Sequence, residues 1–592
     1  MNEAIHVSAR RIPTDPGTAR LRGQPPNRWL AAGVIAVAIL AAGIGLTLGA
    51  FLLNGRASAG GMDAALGYVP ANAATYYELR LDLPGDQRAK LQALLAHFPK
   101  VAGDAVSGDT LDRWLDAAFK QGGGKHSYTA DVKSWFDGRL AAAQTAFDAG
   151  TLRGATAMPR GLLLVGVKDR SIAESRIAAL AAEATGASMS SESYQGVTIH
   201  VLSWPSSGSG PAATAPHSVA YAVTADELIV GNDAAGIRGA LDVHAGRVAG
   251  LAANAELRAA IARLPTDRVA TAVVNTAAVY TQLRASLGTQ QTALTALLDA
   301  VAQLQSARVA VAAARFENDR LVMIGAAGAP TGDLAAENRD RGLASHTPPD
   351  ALLYAETGNV GRGWAALISG VKAALKDRPE GAQLKQAETA LKSDLESYVR
   401  WIGDAAVVAG WDGSQPYLGV IITPTDAREA SLRLQQLQAL AQLAAAGGGP
   451  KVTVDEQQHG AARITTVHIS VPGATVPEWA RAVQYSVTDG RVVIGIGERF
   501  VGRVLDQQPA TSLASASRFR QAVERMGGPS SVSLSWIDLA GIRTAIEQQL
   551  PPAVRTPYEA QVQPWLRPLD LAVGVTRLED GDIVARGAIT VR

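Results

Sequence analysis

The chain has 592 residues, contains no cysteine, and balances 55 lysines and arginines against 54 aspartates and glutamates. The even charge argues against a nucleic-acid partner, because proteins that bind phosphate backbones carry a basic excess. The absence of cysteine excludes disulfide frameworks, thiolate zinc sites, iron–sulfur clusters and cysteine nucleophiles.

The first 28 residues are rich in arginine and proline, and they precede the longest apolar stretch of the chain. They contain five arginines but only two acidic residues, Glu3 and Asp15. Such a composition does not build a hydrophobic core. Residues 1–28 are therefore predicted to be a disordered tail, and their positive charge favours the cytoplasmic side of a membrane.

Residues 29–53 predict a transmembrane helix, because the chain from Trp29 to Leu53 runs for 25 residues without a charge. As an α-helix this segment would be about 37 Å long, enough to cross a hydrocarbon core of roughly 30 Å. Five arginines precede the segment, and Arg56 alone follows it closely. The imbalance predicts a single-pass protein of the cytoplasmic membrane, with its N-terminus inside and the bulk of the chain extracytoplasmic.

Two features near this segment leave alternatives open. The sequence Ala57-Ser58-Ala59 would suit a signal peptidase, although the apolar stretch exceeds the roughly 7–15 residues of a signal-peptide core. Gly45 and Gly49 form a small-xxx-small pair, which suits a homodimer of membrane helices. Because glycine occurs 59 times in the chain, chance is the competing explanation for this pair.

The rest of the chain contains an internal duplication. Four segments recur in the same order at offsets of 262 to 278 residues, and such a repeat constrains the fold. The matches are Pro70–Glu78 with Pro348–Glu356, Trp135-Phe136 with Trp401-Ile402, Tyr221–Gly231 with Tyr485–Gly495, and Arg315–Leu321 with Arg577–Ile583. They predict a linker at 54–65, a first repeat at 66–330, a linker at 331–345 and a second repeat at 346–592.

Turn chemistry and periodicity indicate the fold class of each repeat. Asp412-Gly413, Asp489-Gly490 and Asp580-Gly581 each separate two short apolar segments, and Asp-Gly is a strong hairpin signal. Apolar residues also share one face of a predicted helix in each repeat, namely Ile177, Leu180, Ala181 and Ala184, and then Ala430, Leu434, Leu437 and Ala441.

We therefore predict an α+β protein with an N-terminal transmembrane helix and two tandem homologous domains. Each domain would be a mostly antiparallel sheet with helices packed on one face. Whether the two sheets join is left open by the sequence.

The opening of the first repeat carries a family resemblance. It lies in the segments Tyr68–Arg88, Leu91–Pro99 and Asp131–Gly138. They resemble the bacterial family of unknown function DUF3352, whose members have an N-terminal span followed by a Val-Pro-Ala-Asp opening. This chain departs from the pattern at Asn72, whereas the second repeat has Asp350 at that position. The resemblance implies a membrane anchor and brings no established activity.

No motif predicts a catalytic residue, a cofactor or a bound metal. The nine histidines lack the HxxxH, HxH and HExxH spacings of metal sites. Gly495-Ile-Gly497 opens like a dinucleotide fingerprint, but Phe500 occupies the third glycine position. Weak ligand-site candidates are four polar residues that recur in both repeats, namely Glu78, Glu356, Arg315 and Arg577. For the two arginines, a solvated ion pair with Glu317 or Glu579 is the competing interpretation.

These features favour a non-enzymatic binding or scaffold protein of the bacterial cell envelope. Its expected partner is an envelope protein, a polymer or a lipid, in addition to the lipid bilayer around residues 29–53. Two alternatives stay open. A groove between sheet and helices would suit a carrier of a lipid or other apolar ligand. Two carboxylates about 5–10 Å apart in a cleft would instead suit an envelope hydrolase.

Overall fold

The computed structural model describes residues 63–99, 126–146, 160–184, 186–205, 217–287, 308–446, 451–470, 480–488 and 490–592, with a few single positions between them. The predicted tail and transmembrane segment, with Gly45 and Gly49, lie outside these residues. Within the described part, no helix is both long enough and apolar enough to cross a membrane.

Ten strands form the first half of a large sheet. They are β1 (Thr75–Arg80), β2 (Phe136–Gln144), β3 (Gly161–Val167), β4 (Ser188–Tyr194), β5 (Val197–Trp204), β6 (His217–Val223), β7 (Glu227–Gly231), β8 (Ala270–Asn275), β9 (Val309–Glu317) and β10 (Arg320–Gly328). Side chains alternate between the two faces, as β1 shows. There Tyr76 and Glu78 are buried, and Tyr77 between them is 42% exposed.

Ten further strands form the second half. They are β12 (Ala351–Thr357), β13 (Ile402–Trp411), β14 (Pro416–Pro424), β15 (Lys451–His459), β16 (Ala462–Ser470), β17 (Ala482–Val487), β18 (Val492–Ile496), β20 (Ser533–Ile537), β21 (Leu569–Glu579) and β22 (Asp582–Val591). Two short strands, β11 (Arg339–Asp340) and β19 (Ser530–Ser531), pair separately with each other.

The strand order is the same in both halves, and every pairing is antiparallel. The first half runs β4-β5-β6-β7-β3-β2-β1-β8-β9-β10. The second runs β15-β16-β17-β18-β14-β13-β12-β20-β21-β22. The fold is α+β with a large antiparallel sheet.

Strands β10 and β22 join the two halves into one sheet. Their antiparallel register runs from Arg320 opposite Thr590 to Gly328 opposite Asp582. The question that the sequence left open is thereby answered, since the two repeats share a sheet. By their contacts, the described residues of both halves belong to one compact unit.

Helices connect the strands. In the first half they are α1 (Asp63–Leu66), α2 (Gln87–Leu95), α3 (Arg170–Ala182), α4 (Ala234–His244), α5 (Ala255–Ile261) and α6 (Thr276–Ser286). In the second half they are α7 (Val360–Leu375), α8 (Pro379–Leu391), α9 (Ser397–Arg400), α10 (Ala427–Ala446), α11 (Phe500–Leu505), α12 (Ser517–Arg525), α13 (Leu539–Gln549), α14 (Pro552–Gln561) and α15 (Gln563–Leu566).

Short polar side chains fix where several of these helices begin. Asp233 accepts a hydrogen bond from the backbone N–H of Gly236, and Asp169 accepts one from Ile172. Asn254, Asn275 and Asp538 cap α5, α6 and α13 in the same way. Each side chain satisfies a backbone donor that has no partner within its helix.

The prediction that helices pack on one face of the sheet is wrong, because helices cover both faces. One apolar cluster joins Ala406 and Val408 of β13 to residues of α11 and α12. Another joins Ala405 of the same strand to α10. Successive strand residues point to opposite faces, so these two clusters lie on opposite sides of the sheet. Leu437 of α10, predicted on the packed face, is 48% exposed.

Candidate functional site

The candidate residue Glu78 lies in the hydrophobic core of the first repeat. Its exposed fraction is 1%, and the hydroxyl of Tyr76 donates a hydrogen bond to its Oε2 at 2.6 Å. The two residues share a face of β1 because they are two positions apart in a strand. Among the described residues, no hydrogen-bond partner reaches the other carboxylate oxygen, Oε1. The burial of this carboxylate is therefore only partly compensated.

The second repeat builds the same pair from Glu356 and Tyr354. The hydroxyl of Tyr354 donates to Oε2 of Glu356, which also accepts the backbone N–H of Leu343 at 3.3 Å. Glu356 is 2% exposed. The recurring polar pair of the duplication is thus a buried tyrosine–glutamate contact in each repeat.

Next to Glu78, the core of the first repeat holds an ionic cluster around Arg139. Its Nε donates to Oδ2 of Asp137 at 2.7 Å, and its Nη1 lies 3.1 Å from Oε1 of Glu227. All three residues are at most 5% exposed. Among the described residues, neither oxygen of Glu227 has a hydrogen-bond partner. The contact between Arg139 and Glu227 is therefore an ion pair without hydrogen-bond geometry.

A glycine makes room for this cluster. The register between β2 and β3 shifts between Phe136 and Leu140, around the segment that contains Asp137 and Arg139. A Cβ atom on Gly166 of β3 would lie 1.9 Å from Oδ1 of Asp137. Only glycine leaves the carboxylate of Asp137 in this place.

Burial shifts the protonation of these carboxylates. It raises the pKa of Glu78 to about 7, although the hydrogen bond from Tyr76 and the charge of Arg139 oppose the shift. Burial also raises the pKa of Glu227 to about 8, again against the attraction of Arg139. The pKa of Glu356 is raised for the same reason. Burial therefore favours the protonated form of Glu78, and it weakens the ionised form of Glu227 that pairs with Arg139.

In the second repeat, the charge of Arg341 opposes the rise in the pKa of Glu356. Arg341, which precedes β12, donates from Nη1 to Asp404 at 3.0 Å and from Nε to the carbonyl oxygen of Ser531 at 2.8 Å. Its guanidinium lies against Gly358, where a Cβ atom would be 2.8 Å from Nη1. Arg341 is 5% exposed, so this guanidinium is part of the core.

The other two candidates, Arg315 and Arg577, do not meet the buried glutamates. Arg315 pairs with Glu317 at 3.1 Å and with Asp267 at 3.4 Å. Arg577 instead donates to the backbone carbonyl oxygens of Gly527 and Gly528, which follow α12. The structure brings Glu78 and Glu356 into equivalent core positions, and it places the two arginines in local contacts of different kinds.

Comparison with known proteins identifies the family. A family model described as "Protein of unknown function (DUF3352)" matches residues 34–590. The chain belongs to the DUF3352 family. No curated protein gives a significant match to this DUF3352 chain.

Two crystal structures of a protein named TP0453 show a weak likeness to this DUF3352 chain. Crystal form III has a TM-score of 0.22 and 10% sequence identity, and the match covers 45% of this chain and 80% of that chain. Crystal form I has a TM-score of 0.22 and 8% identity, with 45% and 79% covered. Similarity at this level carries no argument about fold or function.

Three members of the buried cluster in this DUF3352 chain, Asp137, Arg139 and Glu227, were not predicted from the sequence. Glu227 does not recur in both repeats, because its counterpart in the second repeat is Arg491. One signal was present, since Glu227 begins a short apolar strand in which a charged residue is costly to bury. A search for charges inside apolar strands would have found it.

The chemistry open to this cluster is limited by its burial. Glu78 and Glu227 are 1% and 0% exposed, so neither carboxylate faces solvent in this conformation. Among the described residues, no group of three or more histidines, aspartates or glutamates is arranged to hold a metal ion. In this conformation the cluster therefore presents neither carboxylate to a substrate.

Proposed function

We propose that the chain is a single-pass protein of the bacterial cell envelope, anchored in the cytoplasmic membrane with its N-terminus inside. Its extracytoplasmic part, two homologous repeats at 66–330 and 346–592, binds or holds a partner and catalyses no reaction. The partner is an envelope protein or an envelope polymer.

The burial of the paired carboxylates is the observation that carries the non-catalytic part of this proposal. A typical glycoside hydrolase needs two carboxyl groups on either side of a bond that the substrate brings into a cleft. The charge of Glu78 helps to raise the pKa of Glu227, yet each of the two residues is enclosed by the core. Burial explains their raised pKa values. A buried carboxylate with a purely structural role would show the same shift, so the shift does not indicate catalysis.

The sheet supports a holding role. Because β10 and β22 are hydrogen-bonded along their whole length, the two repeats cannot separate without breaking a central strand pair. A platform built in this way keeps sites on both repeats at a fixed spacing. This property suits a protein that positions a partner rather than one that closes around a substrate.

One cavity of the described residues bears on the apolar-ligand alternative. The cavity between α12 and the strands β21 and β22 has a volume of about 260 Å³, and three arginines line it. Drug-sized ligands occupy roughly 300–1,000 Å³ in mostly apolar pockets. A cavity of this size and charge does not favour a long acyl chain.

Topology reporters test the anchor. We expect a phosphatase that is active only outside the cytoplasm to be active when fused after Arg592, and a fluorescent protein that matures only inside to be dark there. Replacing the five arginines before residue 29 with glutamine should weaken this orientation, because flanking positive charge sets it. An inactive phosphatase fusion together with a fluorescent C-terminal fusion would place the C-terminus in the cytoplasm and overturn the proposal.

Native mass spectrometry of the intact protein, released gently from its own membrane, tests the holding role. We expect a stoichiometric protein or polymer mass beside the bare chain. A bound lipid in most molecules would instead favour the carrier. The mass of the chain also shows whether the anchor is cleaved after Ala59. A dimer mass would support a homodimer, for which Gly45 and Gly49 are the candidate contact.

A further inference from the structure

The cavity of about 260 Å³ lies where the two repeats meet. One wall is a face of α12, on which Arg518, Gln521, Ala522 and Arg525 recur at helical spacing. The other wall is formed by β21 and β22. The turn between β9 and β10, from the first repeat, adds Asp319 to the rim. We call this cavity the junction groove.

The floor of the junction groove is apolar, and its rim is charged. Leu571, Val573 and Ala588 of the strands and Met526 beside α12 are each at most 6% exposed. The charged groups stand above them at the rim. A ligand that fits both parts has small apolar side chains and charged ends.

The ends of the junction groove can be told apart because α12 runs along β21. At one end, Arg518 donates from Nη2 to the carbonyl oxygen of Asp570 at 2.8 Å. At the other end, just beyond α12, the carbonyl oxygen of Gly528 accepts a hydrogen bond from Arg577. Arg518 and Arg525 therefore lie at opposite ends, about 10 Å apart at a rise of about 1.5 Å per residue.

Most of the charge at the first end is already paired. Arg518 contacts Asp538 at 2.8 Å and Asp570 at 2.7 Å. Asp319 lies at this end, because its carbonyl oxygen accepts the backbone N–H of Val591. Within the described part of the chain, the carboxylate of Asp319 has no partner. This end of the groove thus has an acid available for a cation.

The second end has the opposite character. Arg525 is exposed at the end of α12, and among the described residues its guanidinium has no hydrogen bond or ion pair. The junction groove therefore has an unpaired acid near one end, an unpaired base at the other, and an apolar floor between them.

We infer that the junction groove binds a short extended peptide with free termini, its ammonium group at Asp319 and its carboxylate at Arg525. An extended chain advances about 3.3–3.6 Å per residue, so about three residues span the groove. Small side chains suit the limited volume above the floor. This inference goes beyond the proposed function, because it adds a small-ligand site to a protein proposed to hold a larger partner.

Calorimetry with tri-alanine tests the inference on the full-length protein in mild detergent. We expect saturable binding of tri-alanine and about fivefold weaker binding of N-acetyl-tri-alanine and of tri-alanine amide, because each cap removes one partly exposed ion pair. Absence of saturable binding up to about 10 mM tri-alanine would overturn the inference. Equal binding of the free and capped peptides would overturn it as well.

Two variants test which end of the junction groove binds which terminus of the peptide. Asp319→Asn should abolish the preference for tri-alanine over its N-acetyl form and keep the preference over the amide. Arg525→Gln should do the reverse. Arg520→Gln is the matched control, because Arg520 is exposed on the same helix and does not line the groove. If neither variant changes its preference, the groove is not the site. The topology reporters and the native mass spectrometry do not use this peptide. Failure of the peptide to bind would therefore overturn this inference and leave the tests of the anchor and of the partner unaffected.

Discussion

Ile324 and Arg586 face each other across β10 and β22, and each is the other's counterpart in the duplicated sequence. They are separated by 262 residues, the offset that also relates Arg315 to Arg577. When counterparts on two antiparallel strands are directly opposite, a local twofold axis passes between them. The repeats therefore meet as equivalent halves, with different chemistry on the two sides. Ile324 packs against the apolar clusters of both repeats, whereas Arg586 pairs with Glu579.

Replacing Ile324 with alanine should weaken both repeats together. The side chain touches both cores, and removing it should lower the free energy of unfolding by roughly 1–3 kcal/mol. Hydrogen exchange followed by mass spectrometry should show faster exchange in β9 and β10 and also in β21 and β22. Val407→Ala is the control, because Val407 is 43% exposed. Faster exchange in only one repeat would contradict the shared role of Ile324.

The parts of this fold that sequence predicts are the local ones. The Asp580-Gly581 turn illustrates why, since both residues have positive φ, 49° and 84°, and few residue pairs accept this conformation. Such a turn fixes the hairpin of β21 and β22 without reference to the rest of the chain. The duplication then transfers the same reasoning to the other repeat.

The parts that sequence does not predict depend on distant contacts. The pairing of β10 with β22 joins residues more than 250 positions apart, and no local signal distinguishes a joined edge from a free one. The periodicity of α10 predicts a packed face that includes Leu437, yet Leu437 and Leu443 are 48% and 70% exposed. The buried cluster escapes sequence reasoning because Arg139 and Glu227 are partners only in the fold.

Glu78 should make the protein less stable as the pH rises. Its carboxyl is protonated in both states below about pH 4.5, and between about 4.5 and 7 only the folded state keeps the proton. Stability is therefore full at low pH and falls across this window, by on the order of 3 kcal/mol. Urea unfolding of Glu78→Gln at a series of pH values should show a shallower slope and a gain above pH 7. Glu559→Gln, at an exposed position, should leave the slope unchanged, and an unchanged slope in Glu78→Gln would refute the assignment.

Gly166→Ala should be strongly destabilising. The new methyl group would lie 1.9 Å from Oδ1 of Asp137, so the carboxylate must leave Arg139 or the strand must move. Disrupting a buried ionic contact costs roughly 3–5 kcal/mol. Gly239→Ala is the matched control, because a Cβ there meets nothing within 4 Å, and alanine favours a helix by about 1 kcal/mol over glycine. Thermal unfolding should shift in opposite directions for the two variants, and a shift of the same sign would exclude steric displacement of Asp137.

Arg341→Lys should destabilise the second repeat, although the charge is kept. The guanidinium of Arg341 donates to Asp404 and to the carbonyl oxygen of Ser531 from two nitrogens, and the single ammonium of lysine does not reproduce this fork. A buried acceptor left without its donor costs roughly 1–3 kcal/mol. Arg339→Lys is the control two residues away, because the side chain of Arg339 is 49% exposed and, within the described part of the chain, forms an ion pair only with Glu337. Urea unfolding should separate the two variants by at least about 1 kcal/mol. Equal stability would mean that the positive charge alone, without the two-nitrogen geometry, holds Asp404 in place.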